Sequence, residues 1–252
     1  MIGRKEEYEK MARLEEAHWW YRALHRLTLQ ALERHAVPRS GLILDAGCGT
    51  GGLLAHLRRA GYMELRGIDI SDDAIEMCRA KSLDVIQGDI REIGRHAPGG
   101  DAAAIVCHDV FYFLDRGEWA QTAARFHDAL APDGLVIMNL PAFAAFRGIH
   151  DMAVGIRHRF TKRDIGDIFD AARFARLRAI YWPFFLSPLI FGTRAVQRLR
   201  LRSRRDVPIR SDLSLPPAGL NDVLYHLTRL ENDGLARKPF GSSLFLVMKK
   251  TA

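Results

Sequence analysis

One stretch of the chain places four glycines within six residues, directly after a short apolar run. The apolar run Leu42–Leu44 predicts a strand that is buried on both faces, and residues 53–57 have helical spacing. A strand, a glycine turn and a helix in this order form the nucleotide-binding corner of a parallel α/β sheet. The chain turns sharply there and its backbone must approach a ligand, which requires glycine; the glycines are Gly47, Gly49, Gly51 and Gly52.

Asp45 discriminates between the ligand classes that such a corner can bind. Gly47, Gly49 and Gly52 also satisfy the G-x-G-x-x-G pattern of dinucleotide sites, which is weak evidence by itself. The carboxylate of Asp45, two residues before the first glycine, would repel the pyrophosphate of a dinucleotide. The same carboxylate suits a ligand that carries a positive ammonium and sulfonium, and that ligand is S-adenosylmethionine.

The segment from Leu44 to Gly51 resembles the first motif of the class I S-adenosylmethionine-dependent methyltransferases. Four later segments resemble further motifs of this family at the expected intervals, namely Gly67–Ser71, Gly88–Ile90, Ala103–Leu114 and Leu130–Leu135. The resemblance implies an α/β fold with a Rossmann-like sheet of seven strands. It also implies an enzyme that transfers a methyl group from S-adenosyl-L-methionine.

The family resemblance also implies a set of cofactor-binding residues. In the family, an acid at the end of the second strand holds the ribose hydroxyls, and an acid of the third-strand motif reaches the adenine amino group. The matching positions are Asp69 and Asp89. The full set that we predict to bind the cofactor is Trp20, Arg22, Asp45, Gly47, Gly49, Gly51, Asp69, Ile70, Asp89, Ile90 and His108.

An N-terminal helix over residues 4–35 is predicted from its apolar spacing. Trp19 and Trp20 are neighbours, so they point about 100° apart on a helix and cannot both face one core. We expect one of them over the cofactor or substrate mouth. A tryptophan pair followed by an arginine resembles methyltransferases of type 11/23 and, distantly, the ubiquinone-type O-methyltransferases. That resemblance implies that Arg22, or alternatively Arg26, meets the cofactor carboxylate.

Two loops are expected to line the acceptor side. The loop after the fourth strand, residues 108–113, contains no proline, which argues against methylation of nucleobase amines, and His108 there could contact the cofactor or act as a base. The loop over residues 148–160 should overhang the transfer site. Its candidate catalytic residues are His150, Asp151 and His158, because histidine titrates near working pH. The alternative is a basic loop tied down by its own hydrogen bonds.

The last part of the chain departs from the minimal fold. We predict a helical cap over residues 1–38, a core over 39–183 and 241–252, and a basic helical insertion over 184–240 between strands 6 and 7. An apolar segment beginning at Trp182 runs into seven arginines, Arg194, Arg198, Arg200, Arg202, Arg204, Arg205 and Arg210. This pattern fits an element on an anionic membrane surface. It also fits a lid helix or a dimer contact.

Composition limits the remaining choices. The net charge of +7 permits an anionic partner, although only its distribution can show which. No apolar run reaches the length of a membrane span, and the first residues lack the apolar segment of a secretory signal. The three cysteines lack the spacing of metal ligands, so we expect reduced thiols, no metal site and a cytoplasmic protein that could associate with a membrane.

These observations predict methyl transfer from S-adenosylmethionine to a small-molecule or lipid-linked acceptor, at oxygen. A non-catalytic protein that binds S-adenosylmethionine is the main alternative, and a nucleic-acid methyltransferase is the weaker one. The sequence does not indicate the oligomeric state.

Overall fold

The computed structural model describes residues 5–203 and 214–251, without the side chains of residues 202 and 203. Its centre is one sheet of seven strands, the number predicted, in the order β3-β2-β1-β4-β5-β7-β6. All neighbouring strands are parallel except β7, which runs antiparallel to both β5 and β6. The strands are β1 Leu42–Ala46, β2 Leu65–Asp69, β3 Val85–Gln87, β4 Ala102–His108, β5 Leu130–Pro141, β6 Phe174–Trp182 and β7 Ser243–Lys250.

Helices cover both faces of the sheet, and most residues of the central strands β1, β4 and β5 are accordingly apolar. On one face, Trp119 and Phe126 pack on β4, β5 and β7, and on the other face Leu27 and Leu57 pack on β1, β4 and β5. The helices are α1 Lys5–Leu14, α2 Trp19–Arg34, α3 Gly52–Arg59, α4 Asp72–Ala80, α5 Arg116–Ala129, α6 Ile149–Val154, α7 Ile165–Ile168, α8 Ser187–Ser203 and α9 Ala218–Gly234.

The single helix predicted over residues 4–35 is wrong, because the chain breaks between α1 and α2. His18 caps α2, since its Nδ1 accepts the backbone N–H of Trp20 at 3.3 Å. Asn221 of α9 satisfies the backbone at the break: its Oδ1 accepts the N–H of Trp19, and its Nδ2 donates to the carbonyl of Ala17, both at 2.9 Å. Asn221, about two hundred positions later in the chain, therefore stabilises the break between α1 and α2.

The insertion between β6 and β7 consists of α8 and α9 in the described part of the chain. Helix α9 packs on α2, whereas α8 packs on the 3₁₀ turn Ala144–Phe146 and on α6. Of the arginines predicted to form a basic face, Arg204, Arg205, Arg210 and the side chain of Arg202 lie outside the described residues. Among the helices that are described, none is both long enough and apolar enough to cross a bilayer.

Candidate active site

A cavity of about 670 Å³ opens at the carboxyl ends of β1, β2, β4 and β5 and is covered by α1, α2 and α8. Ligands of open α/β sheets bind at this edge. The volume lies within the range of roughly 300–1,000 Å³ that is usual for small-molecule sites. Ten of the residues predicted for the site line the cavity: Trp20, Asp45, Gly47, Gly49, Asp69, Ile70, Asp89, Ile90, His108 and His150.

The glycine turn forms one wall of the cavity. Gly47 has φ +87°, and a Cβ there would lie 2.2 Å from Cγ2 of Val110. Gly49 has φ +53°, and its Cβ would lie 2.7 Å from Cε of Met11 in α1. Both positions therefore require glycine for backbone conformation and for space. Gly51 does not line the cavity, because it precedes α3 as its N-cap and lies against Leu83 and Cys78.

The carboxylate of Asp45 is buried at the floor of the cavity, with 3% of the residue exposed. It makes no hydrogen bond to any group within residues 5–203 and 214–251. Burial raises its pKa to about 8, and the charges of Asp69 and Glu15 add to the effect. A buried carboxylate without a partner is costly, so this position fits a positively charged group of a ligand.

Asp69 lies at the end of β2 and binds the glycine turn directly. Its Oδ2 accepts the N–H of Gly49, and its Oδ1 accepts the N–H of Ser71, both at 2.9 Å. Burial raises the pKa of Asp69, and these backbone hydrogen bonds oppose the rise. The carboxylate also faces the cavity, so it can accept hydroxyl groups of a ligand with its remaining lone pairs.

Asp89 follows β3 and is held by Arg91. The guanidinium of Arg91 donates to both oxygens of Asp89 at 2.6–3.0 Å and also pairs with Glu118 at 2.8 Å. These hydrogen bonds lower the pKa of Asp89. Asp89 lines the cavity with Ile70 and Ile90, so the three residues surround one end of it.

Both tryptophans of α2 line the cavity. Trp20 stacks on Trp182 of β6, with ring centroids 5.4 Å apart and planes inclined by 18°. Trp182 is fully buried and donates from Nε1 to Oδ1 of Asn139 at 2.9 Å. Trp20 lines the cavity and stacks on Trp182, which in turn donates a hydrogen bond to Asn139 of β5.

His108 stays neutral in this environment. The hydroxyl of Thr28 lies 2.7 Å from Nε2 of His108 and 3.0 Å from the carbonyl oxygen of Leu24. Nδ1 of His108 is buried and finds no partner in the described residues. Burial lowers the pKa of His108 to about 3, which makes it a poor general base near neutral pH.

Arg22 does not reach the cavity. Its guanidinium pairs with Asp222 of α9 at 2.7 Å and lies 4.1 Å from the ring centre of Tyr225. The alternative, Arg26, pairs with Asp233 of α9 at 2.7 Å and does not line the cavity either. Both arginines face α9 because α9 packs on α2. In this structure neither arginine therefore faces the cavity, and a contact between an arginine of α2 and the cofactor carboxylate stays a prediction.

Of the three predicted catalytic residues, only His150 lines the cavity. Asp151 is buried and forms a two-point ion pair with Arg159, at 2.5 Å to Nε and 3.1 Å to Nη2, while its Oδ2 also accepts the N–H of Gly148. His158 lies 3.6 Å from Asp164 and packs on Trp119. Asp151 and His158 therefore hold the loop in place, which was the alternative interpretation of this segment.

Asp109 is a cavity residue that the sequence did not single out. It follows β4 with φ +55°, and its Oδ2 accepts a hydrogen bond from Nδ2 of Asn139 at 2.9 Å. Burial raises its pKa to about 7, against the opposing effects of Asn139 and Arg159. The only sequence signal for it was its position at the carboxyl end of a central strand.

The acceptor end of the cavity, opposite the acids of β1 and β2, carries basic side chains. We define it by His150, Arg157 and Arg194, which line the cavity from α6, the following loop and α8. Phe146 and Ile190 contribute apolar groups to the cavity lining. Within the described residues, no cluster of three or more histidines, cysteines or acids could hold a metal ion.

Known proteins resemble this chain in sequence. A family model described as a methyltransferase domain matches residues 43–134. A malonyl-[acyl-carrier protein] O-methyltransferase of Halalkalibacterium halodurans is 30% identical over 136 residues, which are 50% of this chain and 49% of that protein. A carboxy-S-adenosyl-L-methionine synthase of Wolinella succinogenes is 34% identical over 108 residues, 39% of this chain and 43% of that protein.

Solved structures share the fold. A SAM-dependent methyltransferase from Archaeoglobus fulgidus has a TM-score of 0.56 at 15% identity, and the alignment covers 90% of this chain and 94% of that one. The chain spans about half the length of the curated relatives that it matches. The matched segment contains the glycine turn, Asp69 and Asp89. Residues 43–134 therefore form a methyltransferase domain, and the chain as a whole resembles the class I S-adenosylmethionine-dependent methyltransferases in its fold.

Proposed function

We propose that the protein transfers the methyl group of S-adenosylmethionine to a hydroxyl or carboxylate oxygen of a small, anionic acceptor. When bound, the cofactor supplies a methyl group on a positively charged sulfur. The protein then has to align the acceptor oxygen with that methyl group and exclude water, because direct displacement needs no covalent intermediate. Fold alone does not determine this reaction, so the proposal rests on the site.

The observation that carries the proposal is the unpartnered carboxylate of Asp45. Within the described residues it has no hydrogen-bond partner, although it is 3% exposed and faces the cavity beside Gly47. A dinucleotide would place a diphosphate there, which would repel the ionised carboxylate and could bind only while Asp45 is protonated. The ammonium of S-adenosylmethionine would instead neutralise the carboxylate, and Asp69 would accept its ribose hydroxyls.

The acceptor end supports an anionic acceptor. His150, Arg157 and Arg194 line it, and no acidic side chain of α6 or α8 lines the cavity within the described part of the chain. Guanidinium groups bind carboxylate and phosphate oxygens strongly. The relative named as an O-methyltransferase supports transfer to oxygen.

The test is binding followed by an acceptor screen. We expect calorimetry to detect S-adenosylmethionine and its demethylated product, S-adenosylhomocysteine, and no binding of NAD. We then expect release of S-adenosylhomocysteine with hydroxy acids, with phenols that carry a carboxylate, or with phosphorylated alcohols, and little with neutral or cationic analogues. Tighter binding of NAD than of S-adenosylmethionine would contradict the proposal.

A lipid-linked acceptor is the second candidate, and one observation favours it. Helix α8 turns Ile190 toward the cavity but leaves Leu189 and Leu199 65% and 63% exposed. Such a helix could lie on a membrane surface while it covers the site. We expect flotation with anionic vesicles at low salt if this candidate is correct. The double variant Leu189→Ser/Leu199→Ser should then lose flotation, whereas Met63→Ser, an equally exposed control, should keep it.

A further inference from the structure

We propose that Asp109 is a catalytic residue, whose Oδ1 takes the proton of the acceptor hydroxyl as the methyl group is transferred, and that Asn139 and Trp182 position this carboxylate. The inference rests on the proposed function and names a base for the same site. It replaces the predicted bases Asp151 and His158, which lie outside the cavity.

The backbone places Asp109 at the middle of the cavity floor. Strand β4 lies between β1, which carries the cofactor turn, and β5, which leads into the acceptor end. Asp109 directly follows β4 in the left-handed region at φ +55°, and its N–H donates to the carbonyl of Asn139 at 2.8 Å. A non-glycine residue in this conformation is uncommon, although aspartate tolerates it better than most residues. The turn thus presents a carboxylate to the cavity.

The hydrogen-bond network determines which oxygen of Asp109 can receive a proton. The indole of Trp182 is only a donor, so its bond to Asn139 fixes Oδ1 of that amide as an acceptor. The amide nitrogen of Asn139 must then donate to Oδ2 of Asp109, as the 2.9 Å contact has it. Oδ2 is therefore occupied by a donor in both protonation states. The proton must reside on Oδ1, for which no partner exists among the described residues.

The groups around Asp109 suit a base that works near neutral pH. Tyr21 of α2 and Tyr112 both lie within its electrostatic reach, and the pKa of each phenol is raised mainly by burial and further by Asp109. These phenols stay protonated and can donate to an acceptor oxygen. Burial raises the pKa of the Cys107 thiol, and the charges of Asp45 and Asp109 raise it further. The positive charge of Arg159 opposes the rise in the pKa of Asp109.

The step balances without a further reactant. The acceptor oxygen forms a bond to the methyl carbon while the bond between that carbon and sulfur breaks. The electron pair of the broken bond remains on sulfur, which becomes a neutral thioether. The hydroxyl proton passes to Oδ1 of Asp109 and is released to water when the product leaves.

The first experiment measures the carboxyl group itself, without any acceptor. In protein labelled with ¹³C at the aspartate carboxyls, we expect one resonance with a titration midpoint near 7 that disappears in Asp109→Asn. Trp182→Phe keeps the stacked ring but removes the indole donor, so the amide of Asn139 can rotate and the midpoint should rise. Asp133→Asn, at an exposed residue paired with Lys249, should leave that resonance unchanged.

The second experiment uses an acceptor alcohol found in the screen. We expect Asp109→Asn to keep the affinity for S-adenosylhomocysteine and the circular dichroism spectrum, and to lower kcat roughly 10²–10⁴-fold. The wild-type kcat should rise with pH through about 7, and this rise should be absent in the variant.

Two results would overturn the inference: a midpoint near the ordinary value of 3.8, or an Asp109→Asn enzyme that keeps its kcat and its pH profile. Neither result would affect the binding of S-adenosylmethionine, so the proposed function would stand with another base. Failure of S-adenosylmethionine to bind would instead remove the proposed function, while the carboxyl titration would still report on Asp109.

Discussion

The two ends of the cavity are built in different ways. The cofactor end consists of side chains and glycines at the carboxyl ends of β1 and β2, and its acids Asp45 and Asp69 belong to short local motifs. The acceptor end is assembled from α6, α8 and the loop between α6 and α7, and its polar groups His150, Arg157 and Arg194 are basic. The first end depends on backbone geometry that the sheet dictates, whereas the second depends on packing between segments far apart in the chain. Substrate choice can therefore change while cofactor binding stays constant.

The largest effect that we expect concerns the ion pair that supports the acceptor end. Asp151→Asn leaves the guanidinium of Arg159, which is only 6% exposed, without its counter-charge. Removal of one partner from such a pair costs about 3–5 kcal/mol of the free energy of unfolding. Urea denaturation should show this loss, and His150→Ala, on the same helix but facing the cavity, should lose far less. Equal losses of stability in the two variants would show that the ion pair between Asp151 and Arg159 does not stabilise the acceptor end.

At the cofactor end, Asp45→Asn should weaken the binding of S-adenosylmethionine by about 1.5–3 kcal/mol, the worth of hydrogen bonds to a charged group. The same variant should be more stable than the wild type in the absence of ligand at pH 8. Calorimetry and thermal unfolding check both. An unchanged affinity would mean that Asp45 does not meet the ammonium group.

The sign of the stability change follows from the pKa of Asp45, which is about 8 in the folded protein and 3.8 in the unfolded chain. Between these values the folded state binds a proton that the unfolded state has lost, so stability falls as pH rises from about 4 to about 8. Asp109, with a pKa of about 7, contributes in the same direction. Asp45→Asn should remove its share of this pH dependence, and a flat wild-type profile would contradict the prediction.

A smaller loss of affinity for S-adenosylmethionine is expected at Asp69, because its carboxylate already accepts hydrogen bonds from two backbone N–H groups. Asp69→Ala removes the acceptor of the ribose hydroxyls and the hydrogen bond to the N–H of Gly49. It should weaken the binding of S-adenosylmethionine by about 1–3 kcal/mol. The matched control is Asp84→Ala, an exposed residue that precedes β3 and pairs with Arg66. Calorimetry that finds no difference between the two variants would place the ribose elsewhere.

The smallest effect is expected at Arg22, outside both ends of the cavity. Arg22→Ala removes a partly exposed ion pair with Asp222 and a contact with Tyr225, which together contribute about 1 kcal/mol or less to stability. The affinity for S-adenosylmethionine should not change. A clear loss of affinity would restore Arg22 as a cofactor residue and would mean that α2 moves when the ligand binds.

The sequence predicted the sheet and the family because their signals are local. Gly47 and Gly49 need positive φ and open space, and Asp45 lies two residues before the first glycine, so the local pattern identified them. Asp69, the last residue of β2, was identified by the family resemblance. The seven-stranded sheet confirms the predicted fold, and the match over residues 43–134 confirms a methyltransferase domain.

The break in the predicted helix, the position of Arg22 and the omission of Asp109 involve partners that are distant in the chain. Asn221 stabilises the break within the predicted helix, and Asp222 draws Arg22 away from the cavity. The position of Asp109 depends on an amide of β5 and an indole of β6. Nothing in the spacing of these residues indicates that they meet, so only the packed structure could show it.

The antiparallel strand β7 has a consequence for how the chain folds during synthesis. β7 follows β6 in sequence but lies between β5 and β6, and β6 pairs with no other strand of the described chain. Until the ribosome has released β7, the edge of β5 is open and β6 has no neighbour to join. Open apolar edges promote association between nascent chains. We expect ribosome-bound chains that end before β7 to depend on chaperones, and the intact chain to lose that dependence once β7 has docked.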